Sequence, residues 1–424
     1  ELKHEHLTNG FTLSLLMGAF FAGLLMILAP VMEFFFHMPG LVPVLRAIAI
    51  VFFVDSITII GQGLLQRNMK FKILAIVEVA SYAIGYGAVG ITLGYYGFGI
   101  WALVIANISQ AFLQAVLIMI VQPFPKRIAF QLKTMKHLLH FGGGFTIARI
   151  GNFLAVQGDN LVVGKTLGAA ALGLYGRAYQ FMVMPSTLFG HALDRTLFPA
   201  MARIQDDKQR LIKAYLTGSG LIALIAIPIS MLFILLAPEI ILLFLGKNWE
   251  GVIMPFRILA CSLLFRMSYK MSDSLARATG AVYRRAWRQL IYAASVFIGS
   301  YIGHFWGISG VACGVAVSLL INFILMAELS IQLTGTGWKD ILKSQWHGML
   351  LGIITGVVTY LLATFFRQFS NSYILIISGT FLGVCVVLFL FIWIYPQRFI
   401  RDDQKALFQT LILKRFKKQL TQAA

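Results

Sequence analysis

Acidic residues are scarce. The 424-residue chain has 16 Asp and Glu against 35 Lys and Arg, and charged residues of all kinds make up only 12% of it. A soluble domain carries about a quarter charged residues, so water is not the solvent for most of this surface. Cysteine is nearly absent too: Cys261, Cys313 and Cys385 lie far apart, without a ligand-like spacing to His, and read as small apolar packing residues. Among the eight His residues no Ser-His-Asp or metal-ligand spacing stands out, and His137 and His140 read as interfacial. No metal or cofactor is expected. Long polar connections are also lacking, which leaves no room for an extramembrane catalytic domain and puts the function within the bundle.

What is present is apolar. Hydrophobic residues make up 59% of the chain, and runs long enough to cross about 30 Å of hydrocarbon recur from Phe11 to Tyr395. The expected fold is all-α and polytopic, with about twelve crossings near 11–36, 41–64, 73–94, 100–121, 137–163, 171–199, 214–236, 252–276, 289–303, 310–333, 346–366 and 373–395.

The formal net charge of +19 could point to nucleic acid, so the placement of the 35 basic residues decides. The N-terminal tip, the connections near 65–72, 122–136, 200–213, 277–288 and 334–345, and the tail after Pro396 hold 25 of them. The opposite set of connections holds three, Lys165, Lys247 and Arg367, and seven lie inside helices. Excess Lys and Arg mark the cytoplasmic side, so both ends of this chain are expected there and no nucleic-acid partner is. The stretch from Lys405 to Lys418 is basic and amphipathic, suited to anchoring on the anionic cytoplasmic surface.

A shift of 211 residues places Arg46 on Arg257, Ala49 on Ala260, Leu64 on Leu275, Ala83 on Ala294 and Gly99 on Gly310. Two copies offset by six crossings keep one orientation, the parallel-repeat layout of transporters with a central site. On this reading Arg46 and Arg257 face the space between the repeats, with snorkelling outward as the rival.

Charges within membrane helices are costly and face partners or water-filled cavities. Arg266, Lys270, Asp273 and Arg277 are spaced by four, three and four. At 100° per residue they fall within about 60° of one another, a single stripe pointing into the bundle. Asp273 can pair with only one or two of its three basic neighbours, and the remaining cation suits an anionic group such as phosphate. A second group comprises Arg149, Asn152, Gln157, Asp159, Asn160, Lys165 and Arg177, with Tyr175 and Tyr179. Asp159 reads as a clasp to Lys165 or Arg177, or as a group that titrates during transport. Asp194 and Arg195 read as an ion pair at the bundle mouth, and Asp55 and Glu78 are acids without a local partner that could carry a coupling proton. Gly97-Phe-Gly-Ile-Trp-Ala102 matches a dinucleotide fingerprint as a string but opens a membrane helix, so it reads as a turn. Asn107-Ile-Ser109, a glycosylation string, lies inside a helix.

Several segments resemble the polysaccharide transporter branch of the MOP superfamily, which includes Wzx-type O-antigen, capsule and exopolysaccharide flippases. They are Gln66-Arg-Asn-Met-Lys-Phe-Lys72, Gly97-Phe-Gly-Ile-Trp-Ala-Leu103, the run from Asp159 to Tyr175, Phe198-Pro-Ala-Met-Ala-Arg-Ile-Gln-Asp-Asp-Lys208, and Leu245-Gly-Lys-Asn-Trp249. The resemblance implies a two-lobe, MATE-like bundle lacking its first two helices, because Glu1-Leu-Lys-His-Glu-His-Leu-Thr8 is similar to the family's connection before the third crossing. Residues 1–122 then form an incomplete first lobe, 123–136 a cytoplasmic linker, 137–333 the second lobe, 346–395 two accessory helices and 396–424 the basic tail.

The implied function is flipping of undecaprenyl-pyrophosphate-linked oligosaccharide from the cytoplasmic to the periplasmic leaflet of a bacterial inner membrane. Arg266, Lys270 and Arg277, helped by Arg149 and Arg177, would hold the pyrophosphate while the lobes rock. A polysaccharide polymerase and export machinery are the partners the resemblance implies. Two alternatives remain. A cation-coupled multidrug exporter of the same superfamily should have an acidic cavity, whereas the stripe is basic. A membrane-embedded glycosyltransferase, polymerase or ligase needs acids or bases in sizeable outer loops, which offer only Glu239 and Glu250. The chain is therefore expected not to be an enzyme.

Overall fold

The computed structural model describes residues 4–68, 70–123, 153, 157–370 and 372–394. Among them the chain is helical throughout, with no strand. It divides into two compact units, Glu1–Asn152 and Phe153–Ala424.

Among its described residues the first unit has four long helices: α1 (His4–Phe36), α2 (Leu41–Arg67), α3 (Phe71–Tyr95) and α4 (Ile100–Val121). Its packing relies on small residues. The Ser14 hydroxyl of α1 donates to the Ser56 carbonyl of α2 at 3.0 Å, and a Cβ added at Gly18 would meet Ser56 at 2.4 Å. Leu65, Leu74, Val77 and Ile118 form a small buried core. The turn between α3 and α4 carries Gly97 and Gly99 at φ of 80° and 54°, a region that L side chains rarely adopt, so the dinucleotide-like string is a turn. Within α3, Ser81–Ala88 winds as a π-helix.

The second unit comprises α5 (157–166), α6 (Gly168–Arg203), α7 (Lys208–Leu235), the short α8 (Ala237–Phe244), α9 (Ile253–Cys261), α10 (Leu263–Ala278), α11 (Val282–Gly303), α12 (Gly307–Thr334), α13 (Trp338–Phe369) and α14 (Tyr373–Ile394). Tyr175, Met182, Phe256, Leu259, Leu263, Met267 and Met271 lie at the centre of a large core shared by α6, α9 and α10. α11 and α12 form a hairpin whose faces meet glycine to glycine. A Cβ at Gly299 would lie 2.8 Å from the Gly314 carbonyl, and one at Gly303 2.3 Å from that of Gly310. Spacing of four on both helices gives the close backbone approach of small-residue membrane packing. α13 packs on α7 through Gly348 against Ala223 and Gly352 against Ile227, and the buried Gln345 amide donates to the Ser219 hydroxyl at 3.1 Å.

The outer faces are apolar where they are exposed: Phe20, Ile27 and Phe34 on α1, Phe112 and Ile120 on α4, Ile353, Val357 and Leu361 on α13, and Leu382 and Phe389 on α14. Lipid is the solvent that stabilises such surfaces. The chain is a multi-pass membrane protein.

Eight described segments are long and apolar enough to cross a membrane, and nine if the pair Lys247–Cys261 and Leu263–Ala278, bent by 43°, is one span. The expected twelve is not reached by that measure, for three reasons. The 137–163 crossing lies mostly outside the described residues. α6, which contains Arg177, Asp194 and Arg195, does not qualify among the apolar spans. The α11–α12 hairpin runs as one 52-residue apolar stretch, Tyr283–Thr334.

Candidate functional site

The basic stripe lies on α10, the second half of the bent pair. The bend falls at Ser262, where φ is −89° and ψ 0°, so α10 starts in a new direction and presents its polar face to α6 and α11. Each stripe residue meets a different element. The Arg266 guanidinium sits 5.0 Å from the centre of the Tyr179 ring on α6, a cation–π arrangement. Lys270 donates through Nζ to the Ser186 carbonyl, also on α6, at 3.2 Å. Asp273 is 9% exposed; its Oδ2 is 3.1 Å from Arg277 Nε, and its Oδ1 accepts from Arg285 Nε at the start of α11.

Arg285 was not anticipated as part of the stripe. It lies twelve residues beyond Asp273, across the turn at Gly280, and only the fold of α11 back along α10 brings it there. With it, two guanidiniums hold Asp273, while Lys270 and Arg266 lie further along the same stripe against α6, four cations near two buried acids, Asp273 and Asp159. The site keeps a surplus of positive charge suited to an anion that accepts paired hydrogen bonds.

A tyrosine-rich cluster borders Arg266. Tyr175, fully buried, donates its hydroxyl to Asp159 Oδ2 at 2.7 Å, and Asp159 Oδ1 accepts from the Asn160 backbone N–H at 2.9 Å. Asp159 is itself 1% exposed and lies within electrostatic reach of Arg266, as do Tyr269 and Tyr292. A buried carboxylate is tolerable there because it is hydrogen-bonded and faces a cation. Arg177, exposed, donates instead to Gln180 Oε1 at 2.8 Å.

The other anticipated residues fall elsewhere. Arg257 on α9 donates through Nε to the Ile234 carbonyl at 3.1 Å, satisfying one of the orphan carbonyls at the end of α7. Arg46, Asp55 and Glu78 belong to the first unit and are exposed. Arg149 lies outside the described residues, as do the side chains of Asp194 and Arg195 and the tail after 394. Of the two acids near the expected outer turns, Glu250 is exposed and Glu239 is 5% exposed. Glu239 takes both donors of Arg367 on α13, Nε at 2.7 Å and Nη2 at 3.0 Å, and Nη2 also donates to the Leu235 carbonyl. That fork-to-fork pair ties α13 to the turn between α7 and α8.

Among the described residues no cluster of His, Cys, Asp and Glu could hold a metal ion. The described part of the site offers cations, tyrosines and amides, which bind and orient.

The chain is similar to known polysaccharide biosynthesis proteins. The chain is 24% identical over 407 residues to the teichuronic acid biosynthesis protein TuaB of Bacillus subtilis (strain 168), covering 94% of this chain and 83% of that one. It is 23% identical over 372 residues to the lipopolysaccharide biosynthesis protein WzxC of Escherichia coli (strain K12), covering 85% and 74%. Among solved structures, the lipid II flippase MurJ superposes with a TM-score of 0.75 at 16% identity, over 94% of this chain and 86% of that one, a likeness of fold. A family model described as "Polysaccharide biosynthesis protein" matches residues 1–254, more than half of the chain. The chain belongs to this family of polysaccharide biosynthesis membrane proteins.

Proposed function

We propose that the protein is a flippase that moves undecaprenyl-pyrophosphate-linked oligosaccharide from the cytoplasmic to the periplasmic leaflet of a bacterial inner membrane, by alternating access. The observation that carries this reading is the charge surplus on α10. Arg277 and Arg285 hold Asp273, Lys270 and Arg266 continue the stripe against α6, and the four cations outnumber the two acids near them, Asp273 and Asp159, inside a unit with apolar outer faces. A cationic cargo would find repulsion there, and a pyrophosphate finds two-pronged guanidinium donors.

Arg266 is the central ligand in this account, because it forms no ion pair among the described residues and is steadied by the Tyr179 ring. Lys270 and Arg277 follow it down the stripe, and Arg149, Arg177, Arg46 and Arg257 are assigned lesser, electrostatic parts. The polyprenyl tail stays in lipid. An inside-negative potential favours outward movement of an anion by about 2.3 kcal/mol per charge per 100 mV, so a coupling ion is dispensable to the scheme. Catalysis is not part of the reading: the buried outer acid, Glu239, is held by Arg367. With the expected cytoplasmic termini, the basic connections lie on the side where the cargo is made.

The test is the pool of lipid-linked oligosaccharide in cells lacking the gene, extracted and sized by mass spectrometry. The pool should accumulate, and the wild-type gene should clear it while Arg266→Ala/Lys270→Ala should not. An unchanged pool in the deletion strain would overturn the assignment and favour drug export.

A further inference from the structure

The first unit contains a polar groove that the pyrophosphate site leaves unexplained. Glu78, Val79, Tyr82 and Ala83 of α3 and Gln110 and Gln114 of α4 line a cavity of about 500 Å³. Both helices are apolar membrane spans, yet a carboxylate and two amides converge on one side of the pair. Among the described residues, none of these three side chains has a hydrogen-bond partner. Unpaired in hydrocarbon, each would be strongly unfavourable, so the groove addresses water or a polar cargo.

Local structure builds this groove deliberately. Gly85 lets α4 approach so closely that a Cβ there would meet the Gln110 Cα at 2.6 Å, which brings the Gln110 side chain alongside α3. The π-helical turn Ser81–Ala88 covers the same stretch, and such departures concentrate at functional sites. Tyr82 stacks almost parallel on Tyr86, at 5.2 Å between ring centres and 14° between planes, and still keeps 57% of its surface exposed. The result is a fixed, flat aromatic face beside acceptors and donors. Glu78 lies seven residues into α3, about 10 Å from that helix's first residue.

We propose that this groove is a carbohydrate subsite that recognises sugar rings of the cargo. The inference rests on the lipid-linked oligosaccharide reading above and adds to it a second contact, in a different unit from Arg266, Lys270 and Arg277. A pyranose offers an apolar C–H face, which suits the Tyr82 ring, and hydroxyls that both donate and accept. Gln110 and Gln114 can answer in both senses, and Glu78 accepts. A few polar groups around an aromatic platform orient a ligand without requiring a deep cavity. A coupling cation is the competing occupant, since a carboxylate and amide oxygens also suit one. The exposed aromatic face has no role in that alternative.

The experiment uses the purified protein in lipid nanodiscs and two probes: undecaprenyl pyrophosphate alone, and the lipid-linked oligosaccharide extracted from the deletion strain. The wild type should bind the glycolipid more tightly than the bare lipid. Tyr82→Leu, and separately Gln110→Ala/Gln114→Ala, should weaken the glycolipid about tenfold and leave the bare lipid within about twofold, and Tyr82→Phe should restore most of the loss. Arg266→Ala should weaken both lipids. Equal wild-type affinity for the two probes, or groove variants that weaken both alike, would overturn the subsite. Groove variants that leave the glycolipid untouched while Arg266→Ala weakens it would overturn the subsite and leave the flippase standing. Glu78→Gln that abolishes transport with glycolipid affinity unchanged would reassign the groove to a coupling cation. A wild type that binds neither lipid would bring down the proposed function itself.

Discussion

The two units handle charge in opposite ways. In the second, charged side chains within or beside the spans are mostly tied: Asp273 to Arg277 and Arg285, Glu239 to Arg367, and Arg288 to the Leu325 and Arg284 carbonyls and to Gln332. In the first unit, Glu33 accepts from the Val42 backbone N–H, but Arg46, Asp55 and Glu78 are exposed, and no ion pair joins two described residues. Their cores differ likewise, a large cluster around Tyr175, Phe256 and Met267 against four residues around Leu65. Tied charges fix geometry, whereas untied ones in apolar helices need a polar partner from outside their own unit. On the proposed function, the second unit holds one anionic group at fixed donors, and the first meets something polar but less sharply defined.

Substitutions in both units can sharpen or break this contrast. The largest effect should come from Gly303→Leu. Its Cβ would sit 2.3 Å from the Gly310 carbonyl, backbone that cannot move aside without opening the α11–α12 hairpin. Loss of monodisperse protein in detergent gel filtration is expected. A variant that purifies like the wild type would contradict the packing.

Asp273→Ala should come next. It leaves Arg277 and Arg285 facing each other, at a cost of about 1–3 kcal/mol, below that of a fully buried pair because the guanidinium side chains keep about a third of their surface exposed. Thermal unfolding should show it, with Asp273→Ala/Arg285→Leu recovering part of the loss. No recovery would mean that the two residues do not act as a pair.

Glu239→Gln should lower stability by about 1 kcal/mol, because the fork on Arg367 loses its charge but keeps a hydrogen bond. The smallest effect belongs to the first unit. Asp55→Asn should change stability by about 0.5 kcal/mol or less, since the exposed carboxylate has no partner among the described residues to lose. A large destabilisation there would break the contrast between tied and untied charges.

Some of this was legible in the sequence. The stripe from Arg266 to Arg277 follows from helical periodicity, and the structure places all four residues on one continuous helix, α10. The turn at Gly97 and Gly99 followed from punctuation between two apolar runs. The bend at Ser262 had no signal, for neither Pro nor Gly stands there. Arg285 and Ser186 could not be assigned to the stripe, because partners across a turn or on another helix depend on packing that periodicity does not encode. The Glu239–Arg367 pair spans 128 residues for the same reason. The four-residue spacing of Gly299 and Gly303, and of Gly310 and Gly314, was present in the sequence and would have indicated the hairpin contact. The π-helical turn in α3 has no sequence signature that would have directed attention to Tyr82 and Gln110.

The most direct test of the central claim is leaflet exchange in proteoliposomes. Lipid-linked oligosaccharide from the deletion strain would be incorporated in both leaflets, and the fraction oxidised by membrane-impermeant periodate followed with time. The account predicts that wild-type protein brings the inner-leaflet pool within reach, and that Arg266→Ala/Lys270→Ala slows this by about tenfold or more. Wild-type vesicles no faster than protein-free ones, or a double variant as fast as the wild type, would contradict it.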